Sequence, residues 1–177
     1  ATRDNKFICF HDFTLKRIFK IKRSVKNLDY KKLKDISKNK DIEIPLLKDL
    51  LELSNNKHHL FIEIKPLLSI KLLKKLLKET SKFKRCVFIS FNEKNIFNIL
   101  GLKKNTNVGL SFSNNISIKK IIKKSKNNDV NYLILDKIFL NKKKIKEINK
   151  EKFFYTIKSK SDFQKYSINN NLIFENL

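Results

Sequence analysis

Between residues 59 and 174 the chain passes through six short β-type runs, each separated from the next by a helical stretch. Strands are expected at 59–65, 86–91, 107–112, 131–136, 152–157 and 171–174. Helices are expected at 69–80, 93–100, 117–125, 141–150 and 160–167. Such alternation limits the fold sharply, because neighbouring parallel strands need a crossover and a helix is the usual one. In the first of these helices Ile70, Leu72, Leu73, Leu76 and Leu77 form the buried side. Gly101 falls where the second helix needs a C-cap, and Ser117 where the third needs an N-cap. The reading is an α/β fold with a parallel sheet and no linker, a single domain over residues 1–177.

The segment before residue 59 is less regular. Phe7-Ile8-Cys9-Phe10 reads as a buried strand over residues 6–11. Residues 18–28 read as an irregular basic connection and 29–36 as a short helix with Asp29 at its N-cap. Residues 46–54 read as a second helix, with Pro45 suiting its first turn and Leu46, Leu47, Leu50, Leu51 and Leu53 on its apolar face.

Two stretches carry chemistry. The Phe7–Phe10 run ends in His11-Asp12, with Thr14, Lys16 and Arg17 close behind. Imidazole passes protons near neutral pH, and Arg and Lys hold phosphate oxygens. The Leu60–Lys65 run ends in Glu63-Ile64-Lys65. Residues two apart share a strand face, so Glu63 and Lys65 point one way while Leu60, Ile62 and Ile64 point the other. A carboxylate beside an ammonium at a strand exit suits a metal ligand next to a phosphate clamp. The bland alternatives are a His-Asp turn cap and a surface ion pair of small worth.

Taken together, these residues resemble the glycerophosphodiester phosphodiesterase family. That family reads T-x-D-G before H-D-x-x-L-x-R; here stand Thr2, Asp4, His11, Asp12, Leu15 and Arg17. Asn5 replaces the glycine, and Asn tolerates the left-handed conformation best after Gly. Ile44-Pro45-Leu46-Leu47 matches the family's I-P-x-L, Glu63-Ile64-Lys65 its E-I-K, Ser90-Phe91 its S-F, and Tyr155-Thr156 its W-T. The closing I-T-D becomes Phe174-Glu175-Asn176.

The resemblance implies a (β/α)8 TIM barrel whose runs from residue 59 onward are barrel strands three to eight. The strand ending in His11-Asp12 is then a hairpin insertion, and the first two barrel strands are missing. The chain's 177 residues fall short of the roughly 250 typical of such barrels. It begins with Ala1 and contains no Met, which also suggests a missing front. An open arc of this kind exposes two edges and is expected to fold poorly or associate, and to be inactive alone.

The implied activity is metal-dependent hydrolysis of small-molecule glycerophosphodiesters to glycerol 3-phosphate and an alcohol, within glycerophospholipid metabolism. His11 is the implied acid/base, Glu63 a ligand of Mg²⁺ or Ca²⁺, and Lys65 the phosphate contact. Phe91 and Tyr155 line the substrate pocket, and Arg17 is at most an outer anion contact. The family's H-R and E-x-D elements, which supply a second histidine and two further metal ligands, have no counterpart here. The alternatives are a lipid-cleaving phospholipase D-like barrel and a non-enzymatic basic protein binding nucleic acid or membrane phosphates.

The formal net charge of +24 bears on the last alternative. The lysines are spread over nearly every helix, and the aromatics sit in apolar runs rather than in an exposed stacking row. Abundant Lys, Asn, Ile and Phe with scarce Gly, Pro and Trp fit compositional drift, so no specific nucleic-acid partner is expected. Two glycines cannot build a Rossmann or P-loop. Cys9 and Cys86 lie in apolar runs without metal-ligand spacing, which favours buried thiols and a cytoplasmic location. No apolar run approaches the roughly 18 residues of a membrane helix. His58 and His59 are expected in an exposed loop.

Overall fold

The computed structural model describes residues 1–175, so Asn176 of the closing segment lies outside the described residues. The chain divides into two compact units. One comprises Ala1–His59 with Lys74–Arg85, the other Leu60–Leu73 with Cys86–Leu177.

The second unit holds the sheet. Its strands are β1 (Leu60–Glu63), β2 (Cys86–Ser90), β3 (Val108–Phe112), β4 (Tyr132–Asp136), β5 (Glu151–Ile157) and β6 (Asn171–Phe174). All five pairings are parallel, and the strands lie in sequence order. The expected parallel α/β arrangement is therefore present, as an incomplete barrel.

The register sorts the side chains onto two faces. One carries Phe61 and Glu63, Val87 and Ile89, Gly109 and Ser111, Tyr132, Ile134 and Asp136, and Phe153 and Tyr155. The Phe61 and Phe153 ring centroids are 4.6 Å apart, although β1 and β5 are four strands removed. On a flat sheet that separation would be about 19 Å, so the sheet curls and this face is its inside. Tyr132 completes the aromatic layer at 5.6 Å from Phe61. The opposite face is apolar and buried through Phe88, Leu110, Phe112, Leu133 and Leu135.

Four of the connecting helices lie largely as the periodicity predicts: α4 (Ile70–Glu79), α5 (Glu93–Leu102), α6 (Ile118–Ser125) and α8 (Lys160–Tyr166). Leu73 and Leu76 of α4 are buried, whereas Ile70 is exposed. Ser117 caps α6, its Oγ accepting from the Lys120 amide. Gly101 lies inside α5, and Lys103 is the C-cap instead. The helix expected at 141–150 shrinks to one turn, α7 (Lys143–Lys146). It offers a single buried residue, Ile145, which is too narrow an apolar stripe to hold a longer helix.

In the first unit, α1 (Lys16–Phe19), α2 (Tyr30–Lys38) and α3 (Leu47–Ser54) precede β1. Leu15, Phe19, Val25, Leu28, Leu33 and Ile44 form its core. The irregular connection expected at 18–28 thus overlaps the end of α1 and contains a 3-10 turn, Val25–Asn27. The strand expected at 6–11 is instead an extended segment with one antiparallel bridge, Ile8 to Leu46. Its hydrogen bonds run to the entry of α3, from Cys9 N to Pro45 O and from Leu47 N to Phe7 O, both at 2.9 Å. Asp29 occupies the N-cap position of α2 but makes no capping bond, because its carboxylate is paired with Arg3. On α3, Leu47 and Leu51 are buried, while Leu50 is part-exposed and Leu53 faces solvent.

Glycine takes no part in the left-handed turns. Asn5, Asn55, Asn56 and Asn105 have positive φ, as do Lys20 and Asp41. Asn5, at 58°, adopts the conformation expected of it.

Candidate active site

Glu63 closes β1, and Lys65 follows it on the same face of the chain. Lys65 Nζ lies 3.2 Å from Glu63 Oε1, and both side chains are mostly shielded. Oε1 is buried and accepts no hydrogen bond. The ammonium therefore sits at contact distance but off the line a hydrogen bond needs.

The backbone between and after these residues is fastened from below. Ser90, fully buried, donates to Ile64 O at 2.6 Å. Asn95, on α5 and also fully buried, donates through Nδ2 to Pro66 O at 2.9 Å. The Asn95 Oδ1 accepts from the Leu68 amide at 3.0 Å. Ser90 Oγ is thus occupied in holding the loop. Asn95 was not singled out from the sequence. Its signal is a polar residue beside Ile96 and one turn before Ile99, on the buried stripe of α5.

Phe91 and Tyr155, both expected to line the pocket, meet edge to face with centroids 5.9 Å apart. The Tyr155 hydroxyl donates to Phe112 O at 3.0 Å, which fixes the ring. Burial, and then the charges of Asp136 and Glu63, push this phenol up to about 12. Those two carboxylates, from the ends of β4 and β1, therefore both act on Tyr155. Asp136 is a second residue that sequence reasoning passed over. It is the register partner of Tyr155, and its Oδ1 accepts from the Ile138 amide at 3.0 Å.

In the first unit, His11 Nδ1 faces Asp12 Oδ1 at 2.7 Å, and Arg17 Nε donates to Asp12 Oδ2 at 2.6 Å. Hydrogen bonds from Arg17, and next from His11, hold the Asp12 carboxyl at about 2. The aspartate thus stays ionised and orients the imidazole, so that Nε2 is the ring nitrogen suited to exchanging a proton. Arg17 also lines a basic hollow of about 480 Å³ with Thr14, Lys16, Lys20 and Lys22. His58 and His59 are exposed, as expected. Cys9 and Cys86 are free thiols; Cys86 is buried, Cys9 only partly so, and burial raises both.

A carboxylate oxygen suits a hard divalent cation, and Glu63 Oε1, buried beside the Lys65 ammonium and accepting no hydrogen bond, can supply one such ligand. Among the described residues no group of three or more His, Cys, Asp or Glu side chains could hold a metal ion. Glu63 fits a cation site as a single ligand, and the described residues do not complete one. No helix among them is long and apolar enough to cross a membrane.

Solved structures share this fold. A glycerophosphodiester phosphodiesterase from Thermotoga maritima superposes with a TM-score of 0.74 at 21% identity, over 98% of this chain and 77% of its own. The Oleispira antarctica phosphodiesterase in complex with the product sn-glycerol-3-phosphate gives 0.81 at 19% identity, over 98% and 77%. A glycerophosphodiester phosphodiesterase from Parabacteroides distasonis gives 0.73 at 16%, over 98% and 75%. No curated protein matches the chain by sequence. The family model for the glycerophosphoryl diester phosphodiesterase family matches residues 1–99, which include His11, Glu63, Lys65 and Phe91. This chain therefore belongs to the glycerophosphoryl diester phosphodiesterase family of enzymes.

Proposed function

We propose that the protein hydrolyses glycerophosphodiesters to glycerol 3-phosphate and an alcohol, in glycerophospholipid turnover, with Glu63, Lys65 and His11 as its principal groups. The observation that carries this reading is the Glu63–Lys65 ion pair at the end of β1, with a buried carboxylate oxygen that accepts no hydrogen bond. Lys65 binds a phosphate oxygen and offsets charge built up in the transition state. His11, oriented by Asp12, gives a proton to the departing alkoxide oxygen or takes one from water. Phe91 and Tyr155 wall the alcohol end. A divalent cation, Mg²⁺ or Ca²⁺, would supply charge neutralisation at the phosphate when bound, with Glu63 as one ligand.

We further propose that the six strands correspond to strands three to eight of an eight-stranded barrel, and that activity needs the complement of residues such a barrel supplies. The chain as described is then inactive by itself. The free thiols support a cytoplasmic setting.

The test is glycerol 3-phosphate release from glycerophosphocholine by the complete gene product, with and without Mg²⁺ or Ca²⁺. His11→Ala and Glu63→Ala are each expected to reduce kcat/KM by about a hundredfold or more. Metal-independent release, or full activity in both variants, would defeat the assignment.

A further inference from the structure

Residues 13–28 of the first unit carry Lys16, Arg17, Lys20, Lys22, Arg23 and Lys26, all exposed, and no Asp or Glu. The helices that follow interleave their lysines with Asp35, Asp49 and Glu52. Among the described residues, Lys16, Lys20, Lys22, Arg23 and Lys26 form no salt bridge. This stretch is therefore a concentrated cationic surface, unlike the mixed charge of α2 and α3.

The backbone that presents these cations is fixed. Val25 N donates to Phe13 O at 3.0 Å and Leu15 N to Arg23 O at 2.9 Å, around an antiparallel bridge from Thr14 to Ser24. Leu15, Phe19 and Val25 are buried and tie the loop to the core of its unit. Lys20, at φ 61°, ends α1 in the left-handed conformation. Thr14, Lys16, Arg17, Lys20 and Lys22 then line the hollow of about 480 Å³. Phe13, next to Thr14, is 60% exposed although its carbonyl is held by Val25 and by the Ser24 hydroxyl. A large ring is thus offered to solvent from a braced backbone.

Exposed cations beside an exposed ring match a partner with anionic groups above an apolar layer, which is the surface of an anionic bilayer. Single-stranded nucleic acid is gripped instead by several stacking rings, and this surface offers one. The geometry points to residues 13–26 as a docking surface for an anionic phospholipid membrane. Lys16, Lys20 and Lys22 meet the headgroup phosphates, and Phe13 enters the interface. The inference stands apart from hydrolysis, because its test reads binding alone.

The complete gene product is sedimented with vesicles of phosphatidylcholine and phosphatidylglycerol in equal parts, and with phosphatidylcholine alone. Binding is expected only to the anionic vesicles, and to fall as salt rises. Each basic residue near such a surface contributes about fivefold, so Lys16→Gln, Lys20→Gln and Lys22→Gln together should weaken binding about a hundredfold. Lys119→Gln, Lys120→Gln and Lys123→Gln remove the same charge from exposed positions of α6 and should change binding little. Equal weakening by the two sets would make net charge the cause and overturn the docking surface. So would equal binding to phosphatidylcholine alone, or a first set that loses a DNA duplex while keeping the vesicles. This chain has no Trp, so Phe13→Trp minus parent gives a local fluorescence signal. A blue shift on anionic vesicles supports insertion; an unshifted spectrum on bound vesicles overturns it.

Discussion

Replacing Asn95 with alanine tests whether the Glu63–Lys65 segment is held from α5. The side chain is fully buried and serves two backbone groups, Pro66 O at 2.9 Å and Leu68 N at 3.0 Å. Its Nδ2 also lies 3.2 Å from Ser90 Oγ, which in turn donates to Ile64 O. Alanine leaves the Pro66 carbonyl and the Leu68 amide unpaired. Leu68 is buried, and its unpaired amide costs about 1–3 kcal/mol, whereas Pro66 is exposed and its carbonyl can turn to solvent, so the variant should lose about 2 kcal/mol. For a chain of this size that corresponds to a fall in Tm of about 4–8 °C. Thermal unfolding followed by circular dichroism measures the loss, and hydrogen exchange at the Leu68 amide reports the loop locally. A Tm within about 2 °C of the parent, with the Leu68 amide still protected, would mean that Asn95 does not carry the loop.

Gly109→Ala should destabilise the sheet. A Cβ there would stand 3.0 Å from Tyr132 Cβ, 3.1 Å from Tyr132 O and 3.2 Å from Ile89 Cγ2, and strand pairing fixes all three. The expected cost is about 1–3 kcal/mol, read as a lower urea midpoint; an unchanged midpoint would show that β3 can shift. The Tyr155 phenol should ionise last of the four tyrosines, near pH 12 against an ordinary value of 10.0. Because its folded-state value is raised, the stability it contributes is complete below pH 10 and is lost as pH rises from there toward 12. Ultraviolet titration of the parent beside Tyr155→Phe checks this. Complete ionisation of all four by about pH 10.5 would contradict it.

Much of the sheet was legible because it rests on a strong local signal. Short β-type runs separated by helical stretches identified β1 to β6, and the two-residue period of a strand placed Glu63 and Lys65 on one face. The segment Phe7–Phe10 misled because four apolar residues look alike in a sheet strand and in an extended segment. What decided between them was the partner, Leu46, which lies far along the chain. Capping was read correctly at Ser117, where the side chain had no competitor. At Asp29 the Arg3 guanidinium took the carboxylate first. Asn95 and Asp136 escaped notice for different reasons. Asn95 acts on backbone groups of a distant loop, which no motif records. Asp136 gains meaning only once the curl of the sheet and the strand register bring it beside Tyr155.

The asparagines at positive φ alter how this chain tolerates change. A glycine turn is purely permissive, supplying conformational freedom and no bond. Asn56 supplies the left-handed bend and also ties two strands of chain together, donating to Lys82 O at 3.2 Å and accepting from the Lys84 amide at 2.8 Å. Asn55, next to it, terminates α3 in the same conformation. Substituting glycine at Asn56 would ease the backbone while cutting both ties, whereas at a left-handed Asn without such bonds it would only ease the backbone. Loops are usually where a protein absorbs mutation most freely. Here part of that freedom has been exchanged for cross-links. The bend at residues 55–56 behaves as a fastening rather than a hinge.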